Sequence, residues 1–474
     1  MRVLFVVDQI DYEPHGIMHL SSALKAAGHE VRLAIAAYQD PVKVAQEWRP
    51  GIVGFSVITG SHRKYLELNR RIKEAVQVFS AFGGPHPTFF PEMIEADGVD
   101  GICIGEGEEA LVDLANALDA GTFEPTIPNW HFKWNGEIVR NPVRRLQADL
   151  DALPPPDRAL IYDADPVSRA SRIKHFIAGR GCPYRCTYCF NHALLELYRG
   201  KGPFVRLRSV PSVLEEVKQV RERYGLEFVV FLDDTFILNR KWLREFTELY
   251  PRAVGLPFFC NVRANLVDEE MVQLLARAGC HSVSMGVEVG NEQVRNELLK
   301  RDMTREQILN AARLLRQAGI QFTTTNMIGL PNTTFENDLE TLDLNIECKP
   351  AYAHVMIFQP YPRTALGEYT RERDLMYGSF DDFGEVAWDD SVLKFSPEHK
   401  RKLRNLQRFF AILVEWPALR PFVERFLLNL PTNWFYWLLY KLWKGYALKQ
   451  RVHPVRLSLK ETFLLAWHFL RIKS

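Results

Sequence analysis

Short apolar segments alternate with helix-spaced apolar residues along this chain, in two successive series. A parallel sheet flanked by helices is the architecture that buries both patterns. In residues 1–120, strands are predicted at Arg2–Val7, Glu30–Ala36, Gly51–Ser56, Val76–Phe82 and Gly101–Ile104. Helices are predicted between and after them at Ile17–Ala27, Pro41–Glu47, His62–Ala75, Phe90–Ala96 and Glu108–Asp119. Five such units make a doubly wound, flavodoxin-like (Rossmann-type) α/β domain, which binds ligands beyond the carboxyl ends of its strands. Residues 121–170 read as a linker with a hairpin turning at Asn135–Gly136 and a stiff Pro154–Pro156 run. Over residues 171–375, strands are predicted at His175–Ala178, Glu227–Leu232, Pro257–Val262, Ser282–Val287, Gln321–Met327 and Ala353–Phe358. Six βα units make a partial (βα)6 TIM-like barrel, again with its chemistry at the carboxyl ends. Residues 376–474 read as a C-terminal helical region.

The second series opens on GRGCPYRCTYCFN (Gly179–Asn191), which spaces Cys182, Cys186 and Cys189 as CxxxCxxC. Three thiolates this close can grip one metal centre, since each binds as the anion. A closed zinc site or a complete cubane takes four ligands, and this loop offers three. On a 4Fe–4S cluster, three thiolates leave one iron open to chelate the amino and carboxylate groups of S-adenosylmethionine (SAM). The alternative is a zinc knuckle completed by His175 or His192. Cys103, Cys260, Cys280 and Cys348 are scattered singly and read as buried apolar residues.

With the aromatic Tyr188 before its third cysteine, the loop resembles the CxxxCx(aromatic)C form of the radical SAM superfamily. The resemblance implies that the backbone at Tyr188 lies near the adenine. It also implies cleavage of SAM to methionine and a 5′-deoxyadenosyl radical that abstracts hydrogen from an unactivated carbon. Asp233 or Asp234, in FLDDTF after the second strand, occupies the family's place for an acidic contact to the SAM amino group. Glu288, in MGVEVG after the fourth, matches its acidic residue near SAM. Arg263 after the third strand is a fork suited to a carboxylate, and Asn326 after the fifth is a polar contact. Each of these also reads as a loop cap or a salt bridge.

At the first domain's strand ends the chain reads EPHGIMHLSSALKAAGHEV, GFSVITG, GGPHPT and GEGE, in that order. Glycines let backbone approach a flat or phosphate-bearing ligand closely, and Ser56, Thr59 and Thr88 carry hydroxyls. Directly upstream of the cysteine loop, these strings resemble the cobalamin-binding domain of cobalamin-dependent radical SAM enzymes. The resemblance implies contacts from Glu13, His15, Gly16, Ser56, Thr59, Gly83, Gly84, His86, Thr88, Gly105, Glu106 and Gly107. Many such domains carry D-x-H-x-x-G, whose histidine sits below cobalt. Here Asp11 and Gly16 keep the spacing, Glu13 replaces the histidine, and His15 lies two residues away. A carboxylate is a harder ligand than imidazole, so the lower face is expected to be open, water-bound or shielded.

The resemblance covers about residues 1–370. It is to the broad class containing the anaerobic magnesium-protoporphyrin monomethyl ester cyclases and many cobalamin-dependent methyltransferases. It implies three cofactors (a 4Fe–4S cluster, SAM and cobalamin), an electron donor such as flavodoxin or ferredoxin, and a substrate that the sequence does not identify. C-methylation is the first expectation, because methylcobalamin with SAM is a ready methyl relay. Cyclase-type cyclisation or oxidation, and a non-catalytic cobalamin or cluster sensor, are the alternatives.

The net charge of +1 conceals an asymmetry: residues 401–474 carry 14 Lys/Arg against 3 Asp/Glu, with five of the ten tryptophans. Two readings of this tail stay open. Its Trp434, Trp437, Trp443, Tyr446, Lys441, Lys444 and Lys449 suit an interfacial helix, which would suggest a lipid or lipid-linked substrate and place the protein at the inner face of the membrane. They also suit a cap packed on the barrel. Nucleic acid is disfavoured because no recognised binding motif accompanies the basic residues. Free thiols and an oxygen-sensitive cluster imply the reducing cytoplasm.

Overall fold

The computed structural model describes residues 1–380 and 390–455; the tail's last cations and Trp467 lie outside the described residues. Backbone contacts divide the chain into two compact units, one of residues 1–171 and 194–206, the other of the remaining described residues.

The first unit holds a seven-stranded sheet of β1 (Arg2–Val7), β2 (Glu30–Ile35), β3 (Ile52–Ser56), β4 (Phe79–Gly83), β5 (Gly101–Cys103), β6 (Trp130–Trp134) and β7 (Glu137–Arg140). Their order is β2-β1-β3-β4-β5-β6-β7. The first five strands pair in parallel, in the flavodoxin-like order whose crossover reverses between β1 and β3. Strand β1 reads RVLFVV and is buried on both faces from Val3 onward, as a central parallel strand must be. Gly54 opposite it is required, since a Cβ there would stand 2.9 Å from the Phe5 ring. Asn135 (φ 52°) and Gly136 (φ 83°) make the expected hairpin turn, and the hairpin extends this sheet as β6 and β7.

Four helices fall near their predicted places: α1 (His15–Ala26), α2 (Pro41–Trp48), α3 (His62–Ala75) and a later one over Glu108–Asp119. The fifth expectation fails. Instead of a helix over Phe90–Ala96, a short α-helix runs over Pro85–Phe89 and a 3₁₀ turn over Pro91–Glu95. Gly84 at φ 94° lets the helix begin directly after β4, and Pro91 keeps Phe90 out of the helical region (φ −126°, ψ 69°) and ends it. Strand β4 also starts three residues later than expected, because the Val76 N–H still donates to Ile72 O at the end of α3.

The second unit is a six-stranded parallel half-barrel. Its strands run Ile173–Phe176, Phe228–Phe231, Phe258–Val262, Cys280–Glu288, Gln321–Ile328 and Tyr352–Ile357, adjacent in the sheet in sequence order. The intervening helices begin on side-chain caps at Ser209, Asn239, Asp268, Thr304 and Thr334. The start of the tail is a cap. Leu403, Leu406, Phe410 and Leu413 of helix Pro397–Glu415 bury themselves on Ile328, Val355 and Ile357 of the last two strands. Further on, Val452 O accepts from Ser282 Oγ at 2.6 Å, and Val455 packs on Phe228 and Val230.

Candidate functional site

In the second unit the cysteine loop follows the first strand. All three of its thiols are free. Cys186 lies in electrostatic range of both Cys182 and Cys189, so the fold brings the three sulfurs into one neighbourhood. The Thr187 N–H donates to Leu299 O at 3.1 Å, and its hydroxyl to Leu298 O at 2.6 Å, which ties the loop to the turn after the fourth strand. Asn191 donates to Cys189 Sγ through its N–H at 3.5 Å and its amide at 3.6 Å. Burial pushes the Cys189 thiol up to about 11, and coordination to iron would release that proton.

The two aspartates part ways. Asp233 is buried and accepts the Ala178 N–H at 3.0 Å, fixing the base of the loop, and burial pushes its carboxyl up to about 7. Asp234 pairs with Asn191 and acts on Cys182 and Cys189. Of the pair, Asp234 faces the cysteines.

Glu288 ends the fourth strand in a left-handed conformation (φ 67°), where a bulge interrupts pairing with the fifth. Such a backbone costs about 1–3 kcal/mol in a residue with a Cβ and persists where its surroundings fix it. Here Arg301 lies 3.8 Å away, the Thr325 hydroxyl donates at 3.4 Å, and Tyr188 hydrogen-bonds the carboxylate. Burial raises the Glu288 carboxyl above its ordinary range, with Arg301 opposing. Arg263 stacks on Tyr184 at 3.8 Å and donates to Cys186 Sγ at 3.6 Å.

Sequence reasoning missed Arg301. Its guanidinium donates to Tyr188 Oη at 3.0 Å, to Gly286 O at 2.5 Å and to Cys186 Sγ at 3.8 Å. It comes from a turn rather than from a strand end, so no spacing marks it. Asn326 takes the opposite course. It is fully buried, donates to His354 O at 2.9 Å and accepts from Asn345 at 2.8 Å. The strand alternates, so its neighbour Thr325 faces Glu288 while Asn326 packs toward Asn345. The structure does not bring Asn326 to the cysteines.

In the first unit the expected ligand loops gather at the carboxyl ends of β1, β3, β4 and β5. The Thr88 hydroxyl donates to Gly84 O at 2.8 Å and accepts from the Gly105 N–H at 3.0 Å, joining two of them. His86 stacks between His62 (4.3 Å) and Phe90 (4.5 Å) and hydrogen-bonds Thr59 at 3.2 Å. Burial, with His62 beside it, lowers His86 to about 4, so the ring is neutral at pH 7. Ser56 and Gly83 close β3 and β4, and Gly107 precedes helix Glu108–Asp119.

A radical SAM superfamily profile matches residues 176–344, and a B12 binding domain profile matches residues 1–115. The chain carries a B12-binding domain followed by a radical SAM domain. An uncharacterized methyltransferase of Pyrococcus horikoshii is 28% identical over 376 residues, covering 77% of this chain and 79% of that one. The anaerobic magnesium-protoporphyrin IX monomethyl ester cyclase of Rubrivivax gelatinosus is 27% identical over 86% of this chain and 77% of its own. The radical SAM methyltransferase TsrM of Kitasatospora setae, solved with cobalamin and a 4Fe–4S cluster bound, superposes with a TM-score of 0.65 at 20% identity, covering 80% of this chain and 79% of that one. The radical SAM domain implies a 4Fe–4S cluster and SAM as cofactors, and the B12-binding domain implies cobalamin.

The residues present fit these groups. His192, one candidate for a fourth zinc ligand, accepts the Ala365 N–H at 3.2 Å. The three thiols of one loop suit a cubane, in which each thiolate binds its own iron. In the B12-binding domain a Cβ on Gly16 would meet nothing within 4 Å, which leaves room after β1. His15 begins α1 beside it and is buried. Two expected contacts are otherwise committed. The Glu13 carboxylate is buried, accepts from Tyr162 Oη at 2.6 Å and lies 3.7 Å from Arg158. The Glu106 carboxylate pairs with Arg206. Glu13 therefore does not stand as a free donor for cobalt.

Proposed function

We propose that this enzyme transfers a methyl group to an unactivated carbon of its substrate. The observation that carries the reading is the three-thiol loop with Tyr188, Glu288, Arg263 and Arg301 gathered around Cys186 at the strand ends of the half-barrel. When bound, the cluster and SAM supply hydrogen abstraction, and cobalamin supplies a methyl carrier. The chain's own residues do the positioning. Cys182, Cys186 and Cys189 would each hold one iron of the cluster, and Asp234 and Glu288 would receive a cationic amino group. Arg263 and Arg301 offer charge to a carboxylate or to sulfur. Ser56, Thr59, Gly84, Thr88 and Gly105 line the loops proposed to hold cobalamin, with neutral His86 as a packed support. A reductant such as flavodoxin or ferredoxin would deliver the electron.

Relatives named as methyltransferases support this reading, and the cyclase relative supports the alternative of radical cyclisation. Anaerobic reconstitution with iron, sulfide and hydroxocobalamin, followed by reductant and SAM bearing a CD3 methyl group, separates the two. The methylation reading expects 5′-deoxyadenosine together with CD3-cobalamin by mass spectrometry. Formation of 5′-deoxyadenosine with cobalamin left unmethylated favours cyclisation. Absence of SAM cleavage by fully loaded protein overturns both.

A further inference from the structure

Eighteen large apolar side chains stand exposed among the described residues, and nine of them lie between Trp416 and Tyr446. Half of the exposed greasy surface therefore comes from one short stretch of the C-terminal region. Trp434 is 73% exposed, Leu442 60% and Phe422 55%, values that a packed cap would not leave. Four of the nine, Trp416, Leu419, Phe422 and Leu442, are contiguous. Trp416, Leu419, Phe422, Leu439, Leu442 and Trp443 border one cleft of about 470 Å³, so the turn after the capping helix and helix Trp434–Ala447 share a single apolar surface. Isolated exposed apolar residues need no explanation, but a contiguous set marks a docking site.

The charge around the patch selects the occupant. Arg425 lies over the Phe426 ring at 5.4 Å, and Arg451 over Trp443 at 5.4 Å and Tyr446 at 5.8 Å. Over residues 416–455, which contain the patch, the chain has six basic side chains and one acidic, in a chain whose total is only +1. Tryptophan and tyrosine interleaved with cations are the mix favoured where hydrocarbon meets lipid headgroups. Helix Trp434–Ala447 has 14 residues, which at about 1.5 Å per residue falls well short of a hydrocarbon core of about 30 Å. No described helix is long and apolar enough to cross a membrane. The surface therefore suits lying on a bilayer rather than spanning one.

We infer that Trp416, Phe422, Trp434, Phe435 and Leu442 form a docking face for the surface of an anionic lipid bilayer. This inference does not depend on methyl transfer being the reaction. The apolar side chains would enter the headgroup layer, while the exposed Arg425 beside Phe426 meets lipid phosphates; Lys441 is buried and Arg451 pairs with Glu415.

The test is flotation of the full-length protein with vesicles of phosphatidylcholine alone, or with 30% phosphatidylglycerol. Binding is expected to the anionic vesicles, weakened by 0.5 M salt. The triple variant Phe422→Ser, Trp434→Ser, Leu442→Ser is expected to bind roughly tenfold or more weakly. Leu249→Ser, at an exposed leucine on another helix, is expected to bind as the parent does. All three substituted side chains are exposed, so a circular dichroism melt should match the parent. Quenching of tryptophan fluorescence by brominated phospholipid gives a second readout that needs no variant. Failure of the parent protein to bind anionic vesicles overturns the inference, as does equal binding by the triple variant. A parent protein that is dimeric, becomes monomeric in the triple variant and ignores vesicles assigns the face to a second copy instead.

Discussion

Cys186 is the point where the proposed catalytic residues meet. Two guanidiniums donate to its sulfur, from Arg263 at 3.6 Å and from Arg301 at 3.8 Å, and Arg301 also reaches Tyr188 and Glu288. Hydrogen bonds and positive charge at a cluster sulfur favour the reduced cluster. Arg301→Gln is therefore expected to lower the midpoint potential of the reconstituted cluster and to slow SAM cleavage by roughly 10–100-fold, the usual scale for a lost outer-shell partner. Arg301→Lys, which keeps the charge, should fall between. Potentiometric titration followed by electron paramagnetic resonance checks the potential, and an unmoved potential would reduce Arg301 to a packing role. The same cluster shows where sequence reading stops. The sequence points to Cys182, Cys186, Cys189 and Glu288 because chemistry and strand-end position coincide in them, and the structure gathers Cys186 and Glu288 about Arg301. Arg301 itself was not legible, since it reaches Cys186 across 115 residues of sequence from a turn with no periodic signal. Asn326 shows a different limit: a one-residue step along a strand reverses the face, so Thr325 bonds Glu288 while Asn326 bonds His354 O and Asn345.

At the scale of elements, the B12-binding domain depends on loops packed closely enough to require glycine. A Cβ on Gly105 would stand 1.9 Å from the Tyr198 hydroxyl, on a backbone at φ 78°. That hydroxyl also accepts the Glu106 N–H at 2.7 Å, so the ring cannot swing away without freeing a backbone donor. Gly105→Ala is expected to destabilise this domain by about 2–3 kcal/mol and to lower cobalamin retention after desalting. Combining it with Tyr198→Phe should recover part of the clash but none of the strain, and differential scanning calorimetry would show the partial rescue. Full recovery by Tyr198→Phe would mean that the left-handed backbone contributes nothing. Regular elements were largely legible from periodicity. The short helix at Pro85–Phe89 was not, because it depends on Gly84 adopting φ 94° and on Pro91 stopping it, both backbone events within a few residues. The tail needed the structure for another reason. Its composition fits a cap and an interfacial helix equally, and only the burial of Leu403, Leu406 and Phe410 beside the exposure of Trp434 and Leu442 separates the two halves.

At the scale of the whole molecule, buried titratable groups in both units set its response to acid. His86, in the first unit, falls to about 4 because burial disfavours its cation. In the second, His453 falls to about 4 and His354 to about 3 for the same first cause. A histidine whose folded value is depressed below about 6.5 binds its proton more readily in the unfolded chain. Its stabilising contribution is whole above about 6.5 and is lost as pH falls toward 4. Asp233 has the opposite sign. Its carboxyl, raised to about 7 by burial, favours the folded state as pH falls from 7 toward 4. His29 and His131 are lowered in the same sense as His86, His453 and His354. These five histidines outnumber the four carboxyls that burial raises, Asp233, Asp234, Glu288 and Asp338, which gives a net loss. The cofactor-free protein is therefore expected to melt several degrees lower at pH 5 than at pH 7.5. His86→Gln should flatten that dependence, and Asp233→Asn should steepen it by removing an opposing contribution. Thermal melts of the three proteins across this range check the signs. If His86→Gln leaves the acid sensitivity unchanged while Asp233→Asn also does nothing, the acid response arises outside these groups.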